Sequence, residues 1–388
     1  MLFTDLPLDI LELVIRSFIG DFATLKSLTL VCRLFRDPCQ QHIFRFVTVD
    51  DTARCCRLID GLRSNPTFLR HVQRICVGGN QGPGASWLFE NMDVITEFLN
   101  LISEARLIHF SLSGDNIIPI SWAQLSSPLK EELSKIFAKI KSLQLIGFYD
   151  IPIDILTPCH KNITDLDLLN SNFVQGSAVT PGSPRLRLHY LKIFTITPGM
   201  VEALISSGIL DLSQLELLDF GSGPAEVDLS PLVQSRELRG LHLKWLTPNI
   251  ILDQAQKSSL RSLNHLKTLE ISTRWKRGRT SPNLKCLADA LSTLESPHLT
   301  TVLVTVAVPF IPVGGDFVSL EVLSVALDQL HQRSGGRLKT LDLTFEVSSP
   351  ADKLEEIQQG INDRIQWKGD SKVLSLTVAQ PPGFEDDF

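Results

Sequence analysis

The sequence predicts an α/β protein in two parts: an all-helical segment over residues 1–45, then, over 46–388, an array of short parallel strands alternating with helices. Two observations carry this. Apolar residues fall at helical spacing through the first 45 positions, and beyond them the pattern apolar-x-x-apolar-x-apolar recurs twelve times. Length sets the scale, because 388 residues suffice for two or more ordinary domains or one extended array with a large core.

The elements follow in order. Asp5 can cap a first helix, Pro7 suits a first helical residue whose N–H has no partner, and Gly20 can close it. Leu6, Ile10, Leu13, Val14 and Phe18 lie at helical spacing within it. Asp21 then caps a second helix carrying Leu25, Leu28 and Val31, and a third runs from about Leu34 to Phe44 with Pro38 near its start. A segment this small buries too little surface to be stable alone. Its apolar face is therefore expected to dock on the rest of the chain or on another protein.

The repeated triplets begin at Val72-Ile75-Val77, Leu107-Phe110-Leu112, Ile140-Leu143-Leu145, Ile163-Leu166-Leu168, Leu188-Leu191-Ile193 and Leu215-Leu218-Phe220. They continue at Leu238-Leu241-Leu243, Leu266-Leu269-Ile271, Leu299-Val302-Val304, Leu320-Leu323-Val325, Leu338-Leu341-Leu343 and Val373-Leu376-Val378. Side chains alternate along a strand, so the last two apolar residues of each triplet should point to the core. The residue between them should face an inner wall: Cys76, Ser111, Gln144, Asp167, Lys192, Asp219, His242, Glu270, Leu303, Ser324, Asp342 and Thr377. Helices are expected between strands at about 87–104, 129–140, 200–206, 284–294 and 352–365. Strand, return segment and next strand would stack into a curved solenoid with the strands inside and the helices outside.

Leu6-Pro7-x-x-Ile10-Leu11, followed by Leu28-x-x-Val31-Cys32-Arg33-x-Phe35-Arg36, resembles the F-box. This is the module by which a substrate receptor attaches to the Skp-family adaptor of a cullin-RING ubiquitin ligase. The resemblance covers the first eighth of the chain, and Phe35 stands where the family often carries Trp. With the repeats, whose spacing clusters around the 20 to 29 residues of leucine-rich repeats, the chain resembles the leucine-rich-repeat class of F-box proteins. It is a divergent relative: its periods are irregular and it lacks the consensus asparagine at most repeats, although Asn170 and Asn172 lie close to it in one. The resemblance implies an adaptor contact through Leu6, Pro7, Ile10, Leu28, Val31 and Phe35. It also implies a protein substrate on the repeats, no catalysis by this chain, no cofactor, and a cytoplasmic or nuclear location. The residues leave open a second reading, a leucine-rich-repeat scaffold without a ligase role whose N-terminal helices only cap the array.

Composition excludes several classes. With 37 Lys plus Arg against 43 Asp plus Glu, the net charge of −6 gives no footprint for general nucleic-acid binding. Seven scattered cysteines without any Cys-x-x-Cys suit reduced thiols, and their spacing offers no zinc site. Asp5, Asp9 and Glu12 break the apolar start, so it does not read as a secretory signal. Residues 299–315 are uncharged but hold Pro309, Pro312, Gly314 and Gly315, which predicts strand and loop, not a membrane span. The loop Gly78-Gly79-Asn80-Gln81-Gly82-Pro83-Gly84 has the place of a phosphate-binding loop but lacks its Lys-Ser/Thr. Gly221-Ser222-Gly223 is no nucleophile elbow, and Cys159-His160 is an isolated pair.

The remaining candidate is a partner surface at two strand exits. Lys244-Trp245 leaves one strand, and Arg274-Trp275-Lys276-Arg277-Gly278-Arg279 leaves the next. Trp and Arg dominate interface hot spots, and four positive charges could steer an acidic or phosphorylated segment. The expected substrate-binding residues are thus Lys244, Trp245, Arg274, Trp275, Lys276, Arg277 and Arg279. The acidic tail Phe384-Glu385-Asp386-Asp387-Phe388 is expected to be a mobile end.

Overall fold

Three short helices begin the described chain: α1 (Leu8–Arg16), α2 (Phe22–Val31) and α3 (Arg33–Phe44). The computed structural model describes all residues except 1–7, 79–85, 115–118, 175–184, 196–203, 205–206, 223–226, 234–236, 245, 248, 253–259, 262, 278–280, 350, 368–371 and 381–388. Asp21 caps α2 as its sequence suggests, its carboxylate accepting the Thr24 backbone N–H at 3.0 Å and the Thr24 hydroxyl at 2.6 Å. Gly20 supplies the left-handed turn ahead of it, at φ +105°. Between α2 and α3, Cys32 is extended (φ −159°, ψ 167°), which separates two helices that otherwise abut.

The chain forms two compact units, Met1–Val174 and Gln175–Phe388. The helices expected as a separate part over 1–45 fall inside the first unit. Backbone bonds tie them in, since the Arg45 carbonyl accepts from Gln73 and Arg74 at 3.1 and 2.9 Å. Phe44 at the end of α3 stacks on Phe68 with ring centroids 4.4 Å apart.

Within the first unit five strands pair in parallel: β1 (Phe46–Val49), β2 (Arg74–Val77), β3 (His109–Ser113), β4 (Ser142–Ile146) and β5 (Asp165–Leu169). Helices α4 (Thr52–Ser64), α5 (Ser86–Glu90), α6 (Met92–Ile102) and α7 (Ser127–Phe137) connect them. The triplets set the register. Ile75, Phe110, Leu143 and Leu166 form one fully buried row across the strands, and Val77, Leu112, Leu145 and Leu168 form the next. Asn172, beside the repeat consensus, accepts from the Asp150 backbone N–H at 2.7 Å and holds a surface turn.

The second unit repeats the arrangement with seven parallel strands: β6 (Tyr190–Thr195), β7 (Leu217–Ser222), β8 (Gly240–Lys244), β9 (Thr268–Arg274), β10 (Thr301–Val308), β11 (Thr340–Val347) and β12 (Leu374–Ala379). Leu191, Leu218, Leu241, Leu269, Val302 and Leu341 share one buried row. Helices α8 (Ser230–Val233), α9 (Pro282–Thr293), α10 (Val318–Ser334) and α11 (Ala351–Asn362) lie between strands. The fold class is therefore mixed α/β with parallel strands.

Three expectations need correction. Leu320-Leu323-Val325 is not a strand: it lies in α10, where Leu320, Leu323, Leu327 and Leu330 are buried at helical spacing and Val325 is exposed. Ser324 accordingly belongs to that helix and not to the inner wall. In β12 the register is offset by two residues, so that Leu374 and not Leu376 lies beside Leu341, and Ser375 and not Thr377 lies beside Asp342. A strand not anticipated, β1, adds to the start of the ladder. The helix expected at 200–206 falls outside the described residues apart from Leu204, which is helical. Residues 301–308 are strand and loop follows, and among the described residues no helix is long and apolar enough to cross a membrane.

Candidate functional site

The helices α1 to α3 carry apolar residues on two sides, and only one side is covered. Leu11 and Ile15 of α1, Leu25 of α2, and Phe35 and Cys39 of α3 form a small buried core, with Phe18, Leu28, Cys32 and Ile43 packed against it. The others face outward: Ile10, Leu13 and Val14 on α1, Phe22, Leu30 and Val31 on α2, and Leu34 on α3. Leu30 is 84% exposed, Val31 62% and Leu13 61%, values that mark an uncovered apolar surface when they occur together on one small segment. Ile19, in the turn between α1 and α2, adds a further exposed side chain.

This geometry divides the sequence-predicted adaptor residues. Ile10 and Val31 are exposed, Leu28 is half-buried against the core, and Leu6 and Pro7 lie outside the described residues. Phe35 is corrected: at 2% exposure it is a core side chain of α3 and offers nothing to a partner. Leu30, Phe22 and Ile19 were not singled out by the sequence. Their signal was present, since they are apolar yet fall outside the spacing of Leu25 and Leu28. Around them the charged groups are at the surface, with Arg16 bonded to Glu12 at 2.7 Å. Hydrogen bonds from the Thr24 hydroxyl and backbone hold the Asp21 carboxyl below the usual carboxylate range, and burial pushes the His42 imidazole down.

At the second candidate, the pair of strand exits, the charged residues and the tryptophan part company. Trp275 is fully buried, edge-on to Phe310, Phe317 and Phe345 at 6.0, 5.9 and 6.2 Å, and its backbone N–H donates to Ala307 at 2.8 Å. It continues the inward alternation of Leu269, Ile271 and Thr273 one residue past β9, so it belongs to the core and not to a contact rim. Lys244 bonds Asp219 at 3.3 Å, a tie between neighbouring strands. Arg274, Lys276 and Arg277 are exposed. Arg277 lies 5.2 Å from the Phe310 ring and donates to the Ile311 carbonyl at 3.3 Å. Trp245 and Arg279 lie outside the described residues.

The wall residues between the buried rows bond to one another along the ladder. In the first unit Ser111 Oγ donates to Gln144 Oε1 and Gln144 Nε2 donates to Asp167 Oδ2, each at 2.7 Å. In the second, His242 Nδ1 lies 3.8 Å from Glu270 Oε2. These contacts tie neighbouring strands to one another. The Cys159-His160 pair is not assembled for chemistry. Burial pushes the Cys159 thiol up to about 12, it faces the Ile155 carbonyl at 3.7 Å, and His160 Nδ1 turns to the Thr157 carbonyl at 2.9 Å. The glycine-rich loop beyond Gly78 and the acidic tail lie outside the described residues. Neither a protein-family model nor any curated protein matches the chain.

Proposed function

We propose that this chain is the substrate-recognition subunit of a cullin-RING ubiquitin ligase, with an F-box in α1 to α3 and a divergent leucine-rich-repeat solenoid behind it. The observation that carries the reading is the exposure of Ile10, Leu13, Val14, Leu30 and Val31 on helices that already enclose a core of their own. An apolar helical face left over after the core is filled requires a groove on a partner. The F-box resemblance names that partner as a Skp-family adaptor. The ladder wall, mixed in charge, would hold a protein substrate, and the chain would act by proximity. It raises the effective concentration of a substrate lysine at a thioester carried by other subunits.

A specific observation favours the second reading, a repeat scaffold whose helices are a cap. The end of α3 is stapled to the ladder by the Phe44–Phe68 stack, the Arg45 carbonyl and an Arg70–Asp37 bond at 2.8 Å. A cap explains those contacts but not the outward apolar side chains. Expression of the chain and of its Leu13→Asp/Val31→Asp variant in cells, followed by detection of copurified adaptor and cullin, separates the two. Adaptor and cullin with the parent chain and neither with the variant supports the receptor; absence of both from the parent chain leaves the scaffold.

A further inference from the structure

A cavity of about 220 Å³ in the first unit is lined by residues of α4 and α6, the end of α3, and β1. Its walls are Phe44, Val47, Leu58, Leu62, Phe68, Val72, Phe98 and Ile102, with Gly61 and a single charged residue, Arg57. Val72, Phe98 and Ile102 are fully buried, while Phe44 and Phe68, stacked on each other, and Leu58 are half-buried. Arg57 is exposed and has no ion-pair partner among the described residues. The site is thus an apolar hollow with one solvent-exposed cation among its lining residues.

Gly61 gives a second, independent observation. It lies in α4, where glycine is a poor helix former, and its φ is not in the left-handed region. No atom lies within 4 Å of where its Cβ would stand, so crowding does not require glycine either. Gly61 lines the hollow, and the space where its side chain would begin is open.

We propose that this cavity binds a small carboxylate with an apolar body of about eight carbons, the body among the aromatic and aliphatic walls and the carboxylate on Arg57. Size supports it: an apolar cavity of about 150 Å³ holds benzene, so the larger space here suits roughly nine or ten non-hydrogen atoms. Charge supports it too. Arg57 lines the hollow, and a guanidinium favours a carboxylate through charge-assisted hydrogen bonds. The proposal does not depend on the ligase reading.

The test titrates the full chain with octanoate and, in parallel, with 1-octanol, reading heat of binding. Octanoate should saturate with Kd on the order of 0.1 mM. Gly61→Leu, whose Cβ meets no atom within 4 Å and whose longer side chain occupies the hollow, should abolish binding of both compounds while the protein stays folded with a cooperative melt. Arg57→Gln, at an exposed position, should weaken octanoate about tenfold and leave octanol unchanged. No saturable octanoate binding, equal loss of octanoate and octanol in Arg57→Gln, or full octanoate affinity in a folded Gly61→Leu protein would each overturn the proposal.

Discussion

Leu241→Asp probes the strand register at its most constrained point. Leu241 is fully buried in β8, flanked across the ladder by Leu218 and Leu269, which are equally buried. Truncation to alanine alone should cost about 3 kcal/mol, from lost transfer energy and the cavity left behind. An aspartate adds the penalty of a carboxyl that must stay neutral among leucines. Raising its pKa from about 3.9 past 7 costs about 4 kcal/mol at pH 7. Together the two effects reach about 7 kcal/mol, comparable with the whole stability of many domains, so the second unit should be largely unfolded. His242, the next residue, faces the opposite wall with its side chain 26% exposed, and His242→Ala should cost no more than about 1 kcal/mol. Urea denaturation followed by far-UV circular dichroism, at pH 7 and again at pH 4, reads all three variants. Below pH 4 the unfolded chain's aspartic acid is protonated as well, so the charge contribution vanishes and Leu241→Asp should approach Leu241→Ala. A Leu241→Asp protein as stable as the parent at pH 7, or a His242→Ala protein less stable than Leu241→Ala, would refute the register.

Phe35→Ala should destabilise the first unit by about 3 to 5 kcal/mol because it empties the small core, whereas Val31→Asp should stay within about 0.5 kcal/mol of the parent; thermal melts of the two proteins check the contrast. Burial pushes the Cys55 and Cys159 thiols up to about 12, so iodoacetamide at pH 8 should label exposed Cys56 and spare those two, as read by mass spectrometry of peptides. Burial, helped by Arg74, holds the half-buried His109 imidazole below 6.5. Its neutral form bonds Ser142 Oγ at 2.9 Å, so stability should fall as pH drops below about 6.5 and level off beneath the folded pKa. His109→Gln should flatten that slope in melts recorded between pH 5 and 7.5.

The ladder was legible because strand alternation writes itself into single residues: Ile75 and Val77, or Leu241 and Leu243, point inward as the triplets say. The same pattern failed where a helix satisfies it. Leu320 and Leu323 are three apart, which suits one face of α10 as well as a strand, and only the continuation to Leu327 and Leu330 decides between them. β1 was hidden for a related reason, since Phe44-x-x-Val47-x-Val49 obeys the triplet rule but Phe44 also ends α3. On the N-terminal helices, residue type alone could not say which apolar side is covered. Leu11 and Ile15, and Ile10, Leu13 and Val14, both have helical spacing, and packing of α2 and α3 selects the first pair. That choice turns Phe35 inward and leaves Val31 outside. Trp275 was readable in principle, because Leu269, Ile271 and Thr273 already set its direction.

If the outward apolar side chains of α1 and α2 form an adaptor-binding face, an adaptor should bind the isolated chain directly. Calorimetric titration of purified Skp-family adaptor into the purified full chain tests it most directly. We expect saturable one-to-one binding by the parent chain, and loss of at least about a hundredfold in affinity for Leu13→Asp/Val31→Asp at unchanged melting temperature, as when hot-spot apolar contacts are replaced by charge. Absence of binding by the parent chain, or equal binding by a normally folded variant, would contradict it.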